Sequence, residues 1–344
     1  MKTSAEKNTR IVNAIESWFK TSARVFPWRT KSSPWGRLVS EFMAQQTQIA
    51  RVAERWPTMM KQFPTPASMS SQDEQEVLKL WQGLGYYRRA KQLKATAAMI
   101  VKEFNGIVPR SVESLMKLPG VGRYTAGAVA SIAFNKRVPI VDGNVHRVLC
   151  RLTNKTNTPL PCGWSWDGAE QLVAVATRPD GCNEGLMELG ATVCLPKTPN
   201  CGSCPLQNEC LAFRSGTQGE VPPSIKQKPR KRLHHNAVVM TCKGEYAFEQ
   251  RSDIGIWASM WQVPTVESKN KMKATQIAKE LQIHDSIKLI GSFTHILTHR
   301  IVEFRVFTCE IDRDKRYQWH ALDSIDRIPL ASAQRKVLDV HCGL

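Results

Sequence analysis

Two carboxylates and four cysteines are the residues whose types and spacing could do chemistry in this chain. Glu41 stands in Ser40-Glu-Phe-Met-Ala-Gln-Gln-Thr-Gln48, beside the apolar face Leu38, Val39, Phe42 and Met43. A carboxyl partly desolvated in this way holds its proton toward neutral pH. Asp142 stands in Val141-Asp-Gly-Asn144, where a helix begins. A capping carboxylate there accepts backbone N–H bonds that keep it ionised. Breaking a glycosidic bond needs a proton for the leaving group and a negative charge near the developing cation; two carboxylates in unlike settings meet both needs. On spacing alone a surface glutamate and a plain helix cap stand beside that reading.

Cys194, Cys201, Cys204 and Cys210 follow a C-x6-C-x2-C-x5-C spacing, with prolines and a glycine between them. Four thiolates so close in sequence can converge on one centre. Zinc and a 4Fe–4S cluster both accept four cysteines, and ligand chemistry alone does not separate them. The remaining cysteines, 150, 162, 182, 242, 309 and 342, show no ligand spacing. Lys197, inside the cysteine loop, is placed to meet a phosphate.

The elements that must hold these groups are helices. Ile11, Val12, Ile15, Trp18 and Phe19 recur at helical spacing. A second helix is expected over Trp35–Gln48, carrying Glu41, Gln46 and Thr47, and a third over Ile49–Phe63. A capping box at Ser71–Glu74 opens the next, which breaks at Gly83-Leu84-Gly85. Another is expected over Tyr86–Phe104, ending at Asn105-Gly106. Pro119-Gly120-Val121-Gly122 is a tight turn between two helical patterns, and its outward N–H groups suit a phosphate. The small residues Ala126, Gly127, Ala128, Ala130 and Ala133 then allow close packing before the Val138–Val141 run reaches Asp142. No β alternation occurs before residue 230.

The texture changes over Arg214–Arg232, where glycine, paired prolines and a basic run read as a linker. Beyond it strands are expected at Asn236–Cys242, Tyr246–Gln250 and Ile301–Phe307, with helices at Ala274–Leu281 and Ala331–Val340. The chain of 344 residues is long enough for two domains. Its formal net charge of +18 favours a polyanionic partner. No run of about eighteen apolar residues supports a membrane span, and the N-terminus has no apolar secretory core. Ten cysteines without such a signal read as thiols or ligands.

Leu118–Leu149 resembles the helix-hairpin-helix DNA glycosylases, whose hairpin reads L-P-G-V-G and whose aspartate lies in V/L-D-G-N-V. In that superfamily, enzymes that also cut the strand carry a lysine two residues after the second hairpin glycine. Here Tyr124 stands at that place, and a phenol cannot form a Schiff base. Phe26-Pro27-Trp28-Arg29, and the match of SEFMAQQTQ to S-E-x-M-L-Q-Q-T-Q with Ala44 for leucine, make the chain similar to adenine DNA glycosylases of the MutY type. The likeness covers roughly residues 26–212 and, more loosely, 234–344.

The resemblance implies an all-α helix-hairpin-helix glycosylase domain over residues 1–215, with the hairpin at about 111–130 and a 4Fe–4S loop at 194–210. A basic linker over 216–233 and an α+β Nudix-like domain over 234–344 follow. It implies Glu41 as the acid that protonates adenine and then activates water, and Asp142 as the stabiliser of the cation or its adduct. Tyr124 and Asn144 would hydrogen-bond within that site, and Gly120 and Gly122 would meet DNA at the hairpin. Flipping a base out of the duplex leaves a gap. The resemblance places Gln46 and Tyr86 there, on the 8-oxoguanine side, with Thr47 adjoining. Arg88, Arg89, Lys91 and Lys94 suit a phosphate-facing surface or a solvated helix face.

In the last domain the family reads 8-oxoguanine with H-x-F-S-H; this chain has His295-Ile-Leu-Thr-His299, so Thr298 and His299 keep a hydroxyl and an imidazole while Leu297 gives up stacking. Ser259 stands where the family has glycine. The stretch KATQIAKELQI carries only Glu280, so pyrophosphate hydrolysis is not expected. The expected partner is duplex DNA with adenine opposite 8-oxoguanine or guanine, bound by a monomer inside the cell, with the genome and no membrane. A thymine-mismatch glycosylase of the same branch and a non-catalytic DNA-binding iron–sulfur protein are the alternatives.

Overall fold

The first helix, Ser4–Ser22, turns Ile11, Val12 and Ile15 to one face, and all three are buried. They meet Val145, Val148 and Leu152 of the helix Gly143–Thr153, Leu172 and Val173 of Gly163–Ala174, and Leu186 and Leu189 of Pro179–Thr192. Each such side chain contributes about 1.5–3 kcal/mol by leaving water. The computed structural model describes residues 4–30, 32–225 and 229–343. The expected domain ends at 1 and 344, Lys31 of the polar loop and linker residues 226–228 lie outside the described residues.

The chain forms two compact units. One runs up to Ser71 and again from Gln92 to residue 225; the other comprises Gln72–Lys91 and the chain from residue 229 onward.

In the first unit, Ser33 caps the helix Pro34–Ala44, accepting from the Gly36 N–H at 3.1 Å, with Pro34 in the first turn. This helix stops at Ala44 and not at Gln48. The Gln45 N–H closes on Glu41 O and Gln46 takes a left-handed φ of 54°, so Gln46 and Thr47 lie in a turn before the helix Ile49–Gln62. The short helices Val112–Met116 and Arg123–Ala128 flank the glycine turn. Gly120, at φ +77°, is required twice over: a Cβ there would sit 2.9 Å from Phe42 and from Gln92. A π-helical turn, Val129–Ala133, follows Arg123–Ala128.

The second unit begins with the helix Glu74–Leu80, whose cap is Asp73, accepting from the Gln75 N–H at 2.7 Å, and not Ser71. The helix expected from Tyr86 begins at Arg88 instead, because Gly83, Gly85 and Tyr86 all hold positive φ. Seven strands follow: β1 Lys231–Cys242, β2 Glu245–Gln250, β3 Trp261–Gln262, β4 Thr265–Ser268, β5 Lys288–Ile296, β6 Arg300–Glu310 and β7 Gln318–Ala321. The sheet runs β3-β2-β1-β6-β5, with β1 and β6 parallel, β4 also paired to β1 and β7 to β2. A register shift between Leu289 and Gly291 disturbs the alternation of β5, which hid that strand in the sequence. The helices Ala274–Glu280 and Ser332–Cys342 complete the α+β arrangement.

Candidate active site and cysteine centre

Glu41 sits in the last turn of Pro34–Ala44, and only 6% of it is exposed. Burial pushes its carboxyl up to about 7. The Arg37 guanidinium one turn earlier and a hydrogen bond from the Tyr124 hydroxyl pull the other way; the charges of Glu184 and Asp142 add to the rise. Desolvation is the larger effect, so near neutrality this carboxyl is poised to give up a proton. The same crowding, with the field of Glu41, drives the Tyr124 phenol well above its ordinary range, so it stays a hydrogen-bond donor. Tyr124 reaches the site from the first turn of Arg123–Ala128, immediately after the hairpin.

Asp142 is the N-cap of Gly143–Thr153: one carboxylate oxygen accepts from the Val145 N–H at 2.7 Å, the other from Asn144 Nδ2 at 2.9 Å. The capping carboxylate also lies near enough for its charge to act on Glu41. The run that delivers Asp142 is clamped by the wholly buried Asn183, which accepts from Ile140 N–H at 3.1 Å and donates to Val138 O and Ser131 Oγ at 2.9 Å. Asn144 is held in turn by Arg147, whose Nη2 donates to its Oδ1 at 2.8 Å and whose Nε donates to Cys194 O at 2.7 Å. Gly190 admits this packing, since a Cβ there would lie 2.6 Å from Asn144 Cβ.

Sequence reasoning missed Asn183, Arg147 and the ionic cluster below the site. Glu184 takes Arg29 at 3.0 Å and Arg37 at 3.4 Å, and Glu188 takes Arg24 at 2.6 Å and Arg29 at 3.1 Å. The pair of glutamates one turn apart in a helix otherwise buried was the available signal.

The four cysteines line one cavity, which Arg151 also borders. Burial raises Cys201, Cys210 and, to about 11, Cys204, and the neighbouring sulfurs oppose one another's ionisation. A polycationic centre would reverse that penalty. Arg151 Nη1 already donates to Cys194 Sγ at 3.3 Å. The donor set therefore suits a cluster bound by four thiolates. Among the described residues, no group of three or more His, Cys, Asp or Glu side chains is placed to hold a single metal ion.

The other expected contact residues are distributed between the two units. In the first, Gln46 is exposed and Thr47 half-buried in their turn, while Gly120 and Gly122 form the hairpin. In the second, the Tyr86 and Thr298 hydroxyls touch. Arg89, buried and held by Leu84 O and Gly85 O, lies over the Tyr86 ring at 5.5 Å. His299 has an exposed imidazole, and its carbonyl accepts from the Lys231 N–H. Leu297 packs against the core of this unit. Ser259 adopts the left-handed φ of 61° that favours glycine, and its hydroxyl accepts from Lys91 Nζ at 2.9 Å.

Residues 39–161 match the HhH-GPD superfamily of base excision DNA repair proteins, and residues 235–340 match the NUDIX domain. The chain is 32% identical to the adenine DNA glycosylase of Rattus norvegicus across 94% of its own length and 76% of the relative's. It is 45% identical to that of Mycobacterium tuberculosis H37Rv across 55% of this chain and 64% of that one. Its fold is similar to the solved structure of a thermostable thymine-DNA glycosylase, with a TM-score of 0.58 and 28% identity, covering 62% of this chain and all of that one. No helix among the described residues is long and apolar enough to cross a membrane.

Proposed function

This chain belongs to the adenine DNA glycosylases, enzymes of base excision repair, and from that premise we propose that it removes adenine paired with 8-oxoguanine or guanine in duplex DNA. The observation that carries the reading is the buried Glu41 carboxyl, lifted to about 7 and hydrogen-bonded by Tyr124 within the field of Asp142. Glu41 protonates the adenine of a flipped nucleotide, which weakens its bond to the sugar. Asp142, fixed by Val145 N–H and Asn144, sets a negative charge against the cation that forms. Glu41, now ionised, takes the proton of the attacking water. Tyr124 supplies a hydrogen bond and no amine, so the enzyme leaves an intact abasic strand.

Gly120 and Gly122 meet the DNA backbone, Gln46 and Tyr86 fill the space the flipped base leaves, on the 8-oxoguanine side with Thr47 adjoining, and Thr298 and His299, beside Tyr86, read the opposite base. The touching hydroxyls of Tyr86 and Thr298 support that last assignment. Cys194, Cys201, Cys204 and Cys210 hold a 4Fe–4S cluster, which cross-links the loop that carries Lys197. We assign catalysis to the helical part before residue 216 and lesion reading to the Nudix-like part from residue 234, joined through 216–233 and acting as a monomer on the genome.

A second reading, removal of thymine opposite guanine, is favoured by the likeness to the solved thymine-DNA glycosylase. Single-turnover base release from duplexes carrying A opposite 8-oxoguanine, A opposite G, and T opposite G decides between them. The proposal expects the first to be fastest and the third to give no release; preference for T opposite G overturns it.

A further inference from the structure

Two glutamines lead into the turn that carries Tyr86, and each amide is bound at both ends. Gln75, in the first turn of Glu74–Leu80, accepts from Trp261 Nε1 at 3.0 Å and donates from Nε2 to Ser259 O at 3.3 Å. Gln82, just past that helix, accepts from Arg335 Nη2 at 3.0 Å and donates to Ile328 O at 3.2 Å. An indole N–H and a guanidinium only donate, and a carbonyl only accepts, so each amide has one orientation here. The nearest of these partners in sequence stands 184 residues along the chain. Beyond the turn, Lys91 adds a third tie: it donates to Ser259 Oγ at 2.9 Å and pairs with Glu74 at 3.3 Å. Arg335 is itself braced by Asp326 at 2.8 Å.

The turn between Gln82 and Lys91 has an uncommon backbone. Gly83, Gly85 and Tyr86 hold φ of 84°, 68° and 46°. A tyrosine in this region persists only where its surroundings hold it. Tyr86 is 42% exposed, so burial of its own ring does not fix it. Trp81 Nε1 donates to Gly85 O at 3.0 Å, and Arg89 Nη2 donates to Leu84 O and Gly85 O. These bonds shape the turn from within. They do not set where Tyr86 stands against Thr298, which lies 212 residues away. The ties from Gln75 and Gln82 do span that gap.

We propose that Gln75 and Gln82 are positioning residues for lesion discrimination, seating the Tyr86 turn so that its hydroxyl meets Thr298. The proposal rests on the reading that Tyr86 and Thr298 lie on the 8-oxoguanine side. Both glutamines are neutral, so they act through geometry and not through attraction to phosphate. A hydroxyl pair moved apart by about 1 Å has lost its hydrogen bond.

The test is single-turnover adenine release by the full-length protein, opposite 8-oxoguanine and opposite guanine. Gln75→Met/Gln82→Met keeps side-chain length and net charge while removing both amides. It should lower the preference for 8-oxoguanine roughly tenfold, with release opposite guanine within about twofold of the parent. The salt slope of binding to an unmodified duplex should not change, because no phosphate contact is lost. Placed in a Tyr86→Phe background, the same pair should add little further loss, since it acts through that hydroxyl. If the pair lowers soluble yield, Gln82→Met alone carries the same comparison. A full further loss in the Tyr86→Phe background overturns the proposal, as does equal slowing on both substrates or a parental preference in the double variant. Tyr86→Phe by itself tests the underlying reading. If it keeps the parental preference, that reading fails and the proposal with it; loss in Tyr86→Phe but not in the glutamine variants sinks the proposal alone.

Discussion

Glu41 and Tyr124 come from different helices and share a hydrogen bond, phenol to carboxyl, in a site where burial keeps both groups protonated near neutral pH. The phenol works against the desolvation that raises Glu41 and thereby sets how tightly the proton is held. Glu41→Gln keeps the shape and a donor but has no acid to transfer. Adenine release should fall at least about a hundredfold, while binding to the mismatched duplex stays within a fewfold. Retention of a tenth of the rate would mean that another group is the acid.

The raised Glu41 also fixes a pH dependence. Between its ordinary 4.5 and about 7, the folded protein binds a proton that the unfolded chain does not. Its contribution to stability is therefore full below 4.5 and lost as pH rises through 7. The shift is worth about 3 kcal/mol by linkage. Single-turnover adenine release should decline above pH 7 as the acid ionises. Glu41→Gln should melt higher than the parent at pH 8 and no higher at pH 4. Equal melting temperatures at pH 8 would show that Glu41 is not desolvated.

The four-cysteine cavity predicts a brown protein carrying about four iron and four labile sulfide per chain. Cys204→Ala should lower iron content and soluble yield together, because this thiol packs with the core of the first helical unit. One zinc per chain and no sulfide would overturn the cluster assignment.

With Tyr124 where a Schiff-base lysine would stand, borohydride added during turnover should trap no covalent complex, and product strands should stay uncut until treated with alkali. Efficient trapping would identify some other amine as a nucleophile.

The contact between Tyr86 and Thr298 predicts a selective loss. Tyr86→Phe and Thr298→Ala should each reduce the preference for 8-oxoguanine over guanine by roughly tenfold, since a lost hydrogen bond of this kind is worth about 1–2 kcal/mol. Equal slowing on both substrates would mark the pair as a general contact with DNA.

What the sequence determined by itself was local in origin. A helix face is set by residues three and four apart, which is why the apolar flank of Glu41 and the core stripe of the first helix were legible. A helix start is set by one side chain and the next three amides, so Asp142 could be read as a cap and is one. The cysteine loop spans few residues, and its four thiols do line one cavity. Boundaries that depend on a single left-handed residue were misread, at Gln46 and at Tyr86, because polar or aromatic residues at such positions carry no glycine signal.

Tertiary structure alone decided the electrostatics. The proton on Glu41 answers to Tyr124, Asp142 and Glu184, which lie far along the chain; the Arg37–Glu184 pair beside it spans 147 residues. Arg147 was an ordinary helical arginine in the sequence, and only folding set its guanidinium between Asn144 and Cys194 O. Desolvation and the attraction or repulsion of charges depend on every neighbour in space. A spacing rule reaches one helical turn, whereas the field at Glu41 is made by residues that only the packed helices bring together.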